Sequence, residues 1–285
     1  MPELPEVETV SRDLRRLLQG AEVAAVSVLW TRSVALPSVE EFIRTLPGRR
    51  ILDVGRRGKF VVLCLSGEMT LLIHLRMSGQ LRIESAEETA ERYARVIFSM
   101  ADGRRLVFSD PRKFGRVYLT EDSETVIGSL GPEPLSSTFT LGDFAGRLSS
   151  RRGALKPLLL QQGFLAGLGN IYVDEALFVA RLHPLRRANT LTGPEVQQLY
   201  VAIRRVLQEA VDNRGTTLSD ARYRDAEGRP GHNRENLRVY RRGGEPCVQC
   251  GAPIERVVVS GRGTHLCPKC QPSAPCLDSG DGMLA

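Results

Sequence analysis

No run of apolar residues in the sequence approaches the roughly 20 that a membrane-spanning helix needs, and Met1-Pro2-Glu3-Leu4 has neither the basic start nor the apolar stretch of a secretory signal. A cytosolic protein is expected. There is no internal repeat. Acidic residues are in deficit: 33 Asp and Glu against 39 Lys and Arg leave a net charge of +6 and a pI near 9.2. That balance points to a polyanionic partner. Disorder as the main state is excluded, because 42% hydrophobic residues over 285 positions suffice for buried cores, enough for about two domains. In a reducing compartment the six cysteines are not expected to form disulfides, and four of them fall in two pairs that suit metal ligation better.

What is present begins with an amphipathic helix. Apolar residues recur at helical spacing at Val7, Val10, Leu14, Leu17 and Leu18, and Gly20 stands where such a helix would end, which predicts a helix from Glu6 to Leu18. From Val23 to Leu119 the texture changes to short β-branched runs such as Phe60-Val61-Val62-Leu63 and Leu71-Leu72-Ile73, separated by turns such as Asp102-Gly103. This predicts a β-rich domain, sandwich or barrel. Gly131-Pro132-Glu133-Pro134, followed by Ser136-Ser137-Thr138, has linker composition and marks a boundary near residue 131. Beyond it, Leu141 to Leu148, Ala154 to Gln162, Gly169 to Ala180 and Gly193 to Asn213 have the length and periodicity of helices. From Arg222 to Lys269, ten Lys or Arg face five Asp or Glu, so this stretch carries +5 of the net charge. The tail from Pro272 to Ala285 is rich in Pro, Ser, Gly and Asp and is expected to be disordered.

Cys247-Val248-Gln249-Cys250 and Cys267-Pro268-Lys269-Cys270 are separated by a sixteen-residue spacer. Each pair lets two sulfurs reach one tetrahedral ion about 2.3 Å away, so Cys247, Cys250, Cys267 and Cys270 are expected to bind a single structural zinc ion. The spacer, with Arg256-Val257-Val258-Val259 and Gly261, has the composition of a β-hairpin. Four thiolates would leave no open coordination position, which argues against catalysis by zinc-bound water. Cys64, inside an apolar run, is expected in the core; Cys276 lies in the tail, away from the metal site.

The first ten residues hold two prolines and three carboxylates. Taken alone, this is a Pro-initiated helix with acidic residues at its positive end. It does not stand alone. PELPEVET over residues 2–9, Gly58-Lys59, His74-Leu75-Arg76-Met77-Ser78-Gly79, Asp110-Pro111-Arg112-Lys113-Phe114-Gly115, Leu130-Gly131-Pro132-Glu133-Pro134-Leu135, Gly167-Leu168-Gly169-Asn170-Ile171-Tyr172 and the cysteine quartet follow one another in order. Together they resemble the formamidopyrimidine-DNA glycosylase family, base-excision repair enzymes for oxidised purines, from residue 2 to about 271.

The resemblance implies an α+β multidomain fold: a catalytic N-terminal β-sandwich over residues 2–131, a helix-two-turn-helix module over 132–228, a zinc hairpin over 236–271 and a disordered tail over 272–285. It implies damaged double-stranded DNA as the partner, held between domains, no membrane, and a monomer in the bacterial cytosol. By the same resemblance, Pro2 becomes the nucleophile once Met1 is removed, Glu3 the proton donor that opens the sugar, Lys59 the acid in β-elimination and Arg262 the group for δ-elimination. The residue types fit: α-amino groups titrate near about 7.7–8.0, against about 10.4 for lysine, so a terminal proline amine is partly neutral at pH 7. Attack on the sugar C1′ leaves an iminium, the electron sink for eliminating the phosphates.

An enzyme of this kind extrudes the damaged nucleotide and fills the gap. The matching residues are Met77 and Phe114 as wedges and Arg112 for the orphaned base. Lys156, Asn170, His74 and Arg151 match positions that hold phosphates or sit beside them. Many family members carry a His-x-His pair where this sequence has Tyr93 and Arg95, and Tyr93 is retained as a DNA contact. Two other readings compete: a non-enzymatic zinc protein that binds DNA, which leaves Pro2, Glu3 and Lys59 unexplained, and the related endonuclease VIII branch for oxidised pyrimidines. Leu4, where that branch has glycine, and Val7-Glu8-Thr9 favour the purine enzymes.

Overall fold

The computed structural model describes residues 2–85, 87, 92–219 and 223–273. The expected disorder of the tail beyond Ser273 and the reading of Cys276 therefore concern residues outside those described. The chain forms two compact units that interleave in sequence: the first runs to Phe139 and takes up Gln161–Gly169 and Arg204–Leu237, while the second comprises Thr140–Leu160, Asn170–Ile203 and the chain from Arg238.

The first unit opens with α1 (Leu4–Leu18), whose Leu4, Val7, Val10, Leu14 and Leu18 are buried on one face. The helix starts two residues earlier than its periodicity predicts. Pro5 in the first turn has no N–H to leave unpaired, and the Glu6 carboxylate accepts the Glu3 backbone N–H at 2.8 Å. There follow β1 (Val23–Val28), β2 (Val34–Leu36), α2 (Val39–Thr45), β3 (Ile51–Arg57), β4 (Phe60–Leu65), β5 (Thr70–His74), β6 (Gln80–Ser85), β7 (Ala94–Met100), β8 (Arg104–Ser109), β9 (Arg116–Thr120) and the short α3 (Glu124–Ile127). Two sheets result, one in the order β1-β7-β8-β6 and the other β2-β9-β5-β4-β3, with β2 parallel to β9 and the remaining pairs antiparallel.

Val26, Leu81, Val96, Phe98 and Phe108 of one sheet share a core with Val54, Val61, Leu63, Leu71, Ile73 and Val117 of the other and with the apolar face of α1. This is the expected β-sandwich. Cys64 departs from expectation. It is exposed, because side chains alternate along β4 and Leu63 and Leu65 take the inward positions. The apolar run had concealed that period.

The second unit is helical at first, with α4 (Leu141–Ser149), α5 (Leu155–Leu159), α6 (Asn170–Val179) and the start of α7 (Gly193–Asp212), which ends in the first unit. α5 stops short of the predicted Gln162, whose amide is used elsewhere: it accepts the Gly167 N–H at 3.0 Å and donates to the Leu168 carbonyl at 2.9 Å. The hairpin of β10 (Glu255–Val259) and β11 (Arg262–Leu266) completes this unit. Its two-residue turn, Ser260-Gly261, has φ of 48° and 73° at the two positions, the left-handed pair that matches strand twist. Phe178 of α6 packs with Val239, Cys247, Ile254 and Cys267 beneath the metal-ligand cluster.

Candidate active site, zinc site and DNA-contact residues

Pro2 is buried and Glu3 is 2% exposed at the start of α1. The loop before α6 makes room for them. Gly167 has φ of 88° and its carbonyl accepts the Leu4 N–H at 2.9 Å, while a Cβ placed on it would lie 2.7 Å from Leu4 Cβ. At Gly169 an added Cβ would stand 2.3 Å from the Glu3 carboxyl carbon. Only glycine leaves space there for the acid.

Lys59 lies in the two-residue turn between β3 and β4, 7% exposed. The preceding Gly58 has φ of 55°, and a Cβ on it would approach Leu130 to 3.0 Å and Ala166 to 3.6 Å. The stretch Ala166–Gly169 thus borders the Lys59 turn on one side and the Pro2-Glu3 end of α1 on the other. Glu133 fixes that turn: its carboxylate accepts the Gly58 N–H at 2.6 Å and pairs with Arg57 at 3.1 Å and Arg56 at 2.7 Å. Arg56 also pairs with Glu8 of α1 at 2.9 Å. In the sequence Glu133 stands only as part of a Gly-Pro-Glu-Pro stretch, with nothing to show which backbone it grips.

His74 ends β5 opposite Phe60, which packs edge-on against its ring at 4.6 Å. Burial, together with the charges of Arg76 and Lys59, pulls its pKa down to about 3. Nδ1 accepts the Arg76 N–H at 3.0 Å, so the neutral ring carries its proton on Nε2. The next two loops are joined by one carboxylate. Asp110, wholly buried, accepts the Ser78 hydroxyl at 2.5 Å and the backbone N–H groups of Arg112, Phe114 and Gly115 at 3.1, 2.7 and 2.7 Å. Its own carbonyl accepts Arg95 Nε at 2.8 Å, which gives Arg95 a place in holding the turn.

These contacts tie the Met77 turn to the Phe114 turn. Met77, Phe114 and Tyr93 are 41%, 46% and 37% exposed, so the expected wedge residues are outside the core. Arg112 lies over the Phe114 ring at 4.9 Å and Arg92 over Tyr93 at 5.6 Å.

In the second unit the four cysteine sulfurs lie within 4.8 Å of one another, with Cys247 to Cys270 at 3.9 Å and Cys250 to Cys267 at 3.5 Å. A tetrahedron with Zn–S bonds of about 2.3 Å has S···S edges of about 3.8 Å, so the four sulfurs fit one zinc ion. Burial and the neighbouring thiols push Cys270 up to about 12 while hydrogen bonding brings Cys250 down to about 7. A divalent cation is what allows all four to ionise together.

Arg262 is exposed at the hairpin tip, directly after the Ser260-Gly261 turn. Asn170 opens α6 and its amide donates to the Gly263 carbonyl at 2.9 Å. Arg151 is exposed after α4. Lys156 differs from the expected phosphate contact: it is wholly buried, its ammonium 2.6 Å from Asp174 and 3.1 Å from the Gly263 carbonyl. Asp174 in turn accepts the His265 N–H at 2.9 Å. An ammonium removed from water requires a counter-charge, and Asp174 of α6 supplies it. Lys156, Asn170 and Asp174 thus converge on the strand that begins with Arg262.

The formamidopyrimidine-DNA glycosylase N-terminal domain matches residues 1–117, the H2TH domain of the same enzymes residues 130–222, and the zinc finger found in FPG and IleRS residues 244–272. The formamidopyrimidine-DNA glycosylase of Herpetosiphon aurantiacus is 48% identical over 95% of this chain and 100% of its own length, and that of Chloroflexus aurantiacus 47% over 95% and 98%. Among solved structures, the MutM (FPG) protein of Thermus thermophilus superimposes with a TM-score of 0.87 at 45% identity, covering 96% of this chain and all of that one. The Lactococcus lactis Fpg in complex with DNA containing an abasic site does so at 0.89 and 34%, covering 95% of this chain and all of that one. Three domain matches in order, with relatives nearly half identical over almost the whole length, establish that the chain belongs to the formamidopyrimidine-DNA glycosylase family.

Proposed function

We propose that this chain removes oxidised purines, formamidopyrimidines and 8-oxoguanine among them, from double-stranded DNA and then cleaves the abasic strand by β,δ-elimination. The observation that carries this reading is the niche at the start of α1, where Gly167 and Gly169 leave room for the buried Glu3 beside Pro2. In the reaction, the Pro2 amine, freed by removal of Met1, attacks C1′ of the damaged nucleotide as the bond from C1′ to the base breaks, and the proton that the nitrogen gives up leaves with the base. Glu3 gives its proton to the ring oxygen of the sugar as that ring opens, and the product is an iminium joining Pro2 to C1′.

The iminium acidifies the C2′ hydrogens. Loss of one expels the 3′ phosphate, with Lys59 as the acid, and a second elimination assisted by Arg262 expels the 5′ phosphate. Zinc, held by Cys247, Cys250, Cys267 and Cys270, supplies no chemistry beyond folding the hairpin that carries Arg262. Met77 and Phe114 fill the vacated position in the stack, Arg112 meets the orphaned base, and Tyr93 contacts DNA beside them. His74 offers Nε2–H to a phosphate, and Asn170 and Arg151 add further phosphate contacts. Lys156 acts at one remove, through Gly263. The segments doing this work are the sandwich over residues 2–131, the helical module over 132–228 and the hairpin over 236–271, and the protein works as a monomer in the bacterial cytosol.

Among the described residues no helix is long and apolar enough to cross a membrane. Borohydride reduction in the presence of a duplex carrying 8-oxoguanine tests the proposal. A covalent protein–DNA adduct mapping to Pro2 is expected, and excision without any trapped adduct would contradict the Schiff-base route.

A further inference from the structure

The two turns that present the wedge residues share a feature that base recognition leaves unexplained. In each, the residue immediately before the wedge is a cation in the left-handed region: Arg76, φ 54°, before Met77, and Lys113, φ 60°, before Phe114. Left-handed backbone is unfavourable for a residue with a Cβ, and arginine and lysine do not have the short polar side chains that ease it in asparagine or aspartate. Arg181, Arg214 and Arg241 share this backbone conformation; what sets Arg76 and Lys113 apart is their place, each one residue before a wedge in two turns joined by the bond between Ser78 and Asp110, and the direction their side chains take.

That direction is visible at Lys113. Its ammonium lies 4.0 Å over the ring of Trp30, whereas the neighbouring Phe114 ring lies under Arg112. The reversal at Lys113 separates the cation from the wedge, so that one can enter a base stack while the other stays outside it. A π face holds a cation without cancelling its charge, as a carboxylate would. Both Arg76 and Lys113 are exposed, and neither forms an ion pair among the described residues. Arg76 follows His74 by two positions and its backbone N–H is bonded to that ring, so the first turn carries both an imidazole N–H and a guanidinium.

We propose that Arg76 and Lys113 form a phosphate clamp that holds the DNA backbone beside the gap filled by Met77 and Phe114. The clamp rests on the reading of this chain as a DNA repair enzyme and adds two binding residues to it. Inserting a wedge unstacks neighbouring bases and bends the duplex, which is unfavourable unless the displaced backbone gains contacts. Cations fixed one residue from each wedge supply those contacts as the wedge enters.

The test is the salt dependence of binding to a duplex with one reduced abasic analogue, measured between 50 and 200 mM salt for the full-length zinc-loaded protein. Arg76→Gln and Lys113→Gln are each expected to lower the slope of log affinity against log salt by about 0.9, and the double variant by about twice that, with thermal stability unchanged. Arg76→Lys and Lys113→Arg should retain the wild-type slope. Equal slopes for wild type and double variant, or a loss of affinity uniform across salt, would overturn the clamp. If wild type itself shows no salt-dependent binding to this duplex, the repair function fails instead.

Discussion

Gly169 and Glu3 occupy space that a larger residue at 169 could not share with the acid: a Cβ there would lie 2.3 Å from the Glu3 carboxyl carbon and 2.4 and 2.7 Å from its oxygens. The colliding atoms are the end of a side chain, so Gly169→Ala is expected to fold and to displace the carboxyl group. A displacement near 1 Å costs a reacting group roughly 100-fold. Release of 8-oxoguanine by the variant should fall by about 10- to 100-fold in single-turnover assays while borohydride trapping on a preformed abasic site persists, since that step does not need Glu3. Equal losses in both assays would place the damage outside the acid.

His74 makes stability depend on pH. Its folded pKa of about 3 lies below the ordinary 6.5, so between these values the unfolded chain binds a proton that the folded chain refuses. Unfolding is therefore favoured as pH falls from about 6.5 toward 3, and this contribution is absent above that window. His74→Gln keeps an acceptor for the Arg76 N–H but does not titrate. Melting temperature should drop less steeply in the variant than in wild type between pH 6.5 and 4; parallel curves would mean that the ring is not held neutral.

Several features were legible in the sequence because short-range spacing carries them. The two Cys-x-x-Cys pairs, the Ser260-Gly261 hairpin and the period of α1 all lie within a few residues of what determines them. The exposure of Cys64 is not legible, because an unbroken apolar run hides which face of β4 turns inward. The burial of Lys156 is hidden for another reason: its partner Asp174 is 18 residues away in sequence, inside a helix whose residues Ile171 to Phe178 are all buried, and no local pattern pairs a cation with a carboxylate across that interval. Glu133 and Asp110 belong to the same class. Each grips backbone N–H groups of a turn, and side-chain identity says little about which turn a carboxylate will reach.

The buried pair of Lys156 and Asp174 gives a stability test. Lys156→Ala leaves an unpaired carboxylate in the interior and should destabilise the protein by about 3–5 kcal/mol, read from denaturant midpoints. Replacing both, as Lys156→Met with Asp174→Leu, removes the stranded charge and should recover most of that loss. The double variant still lacks the bonds to the Gly263 carbonyl and the His265 N–H, so strand cleavage by elimination should stay impaired after stability returns. Full recovery of both would limit the pair to a packing role.

The catalytic assignment makes the sharpest demand on the first two residues. Retaining Met1 places the Pro2 nitrogen in a peptide bond, whose lone pair is delocalised into the carbonyl and cannot attack C1′, so a form with Met1 retained should be inactive in both base release and trapping. Pro2→Gly restores a free amine, now primary, and should keep part of the lyase activity on abasic DNA. Glu3→Gln divides the reaction differently. It removes the proton donor for sugar opening but leaves the amine, so base release should fall by roughly 100-fold or more while trapping on a preformed abasic site continues. These three variants separate amine from acid. If the Met1-retaining form excised damaged bases and was trapped at the wild-type rate, the Schiff base would lie on another amine, and Lys59, in the turn beside Ala166–Gly169, would be the first to test.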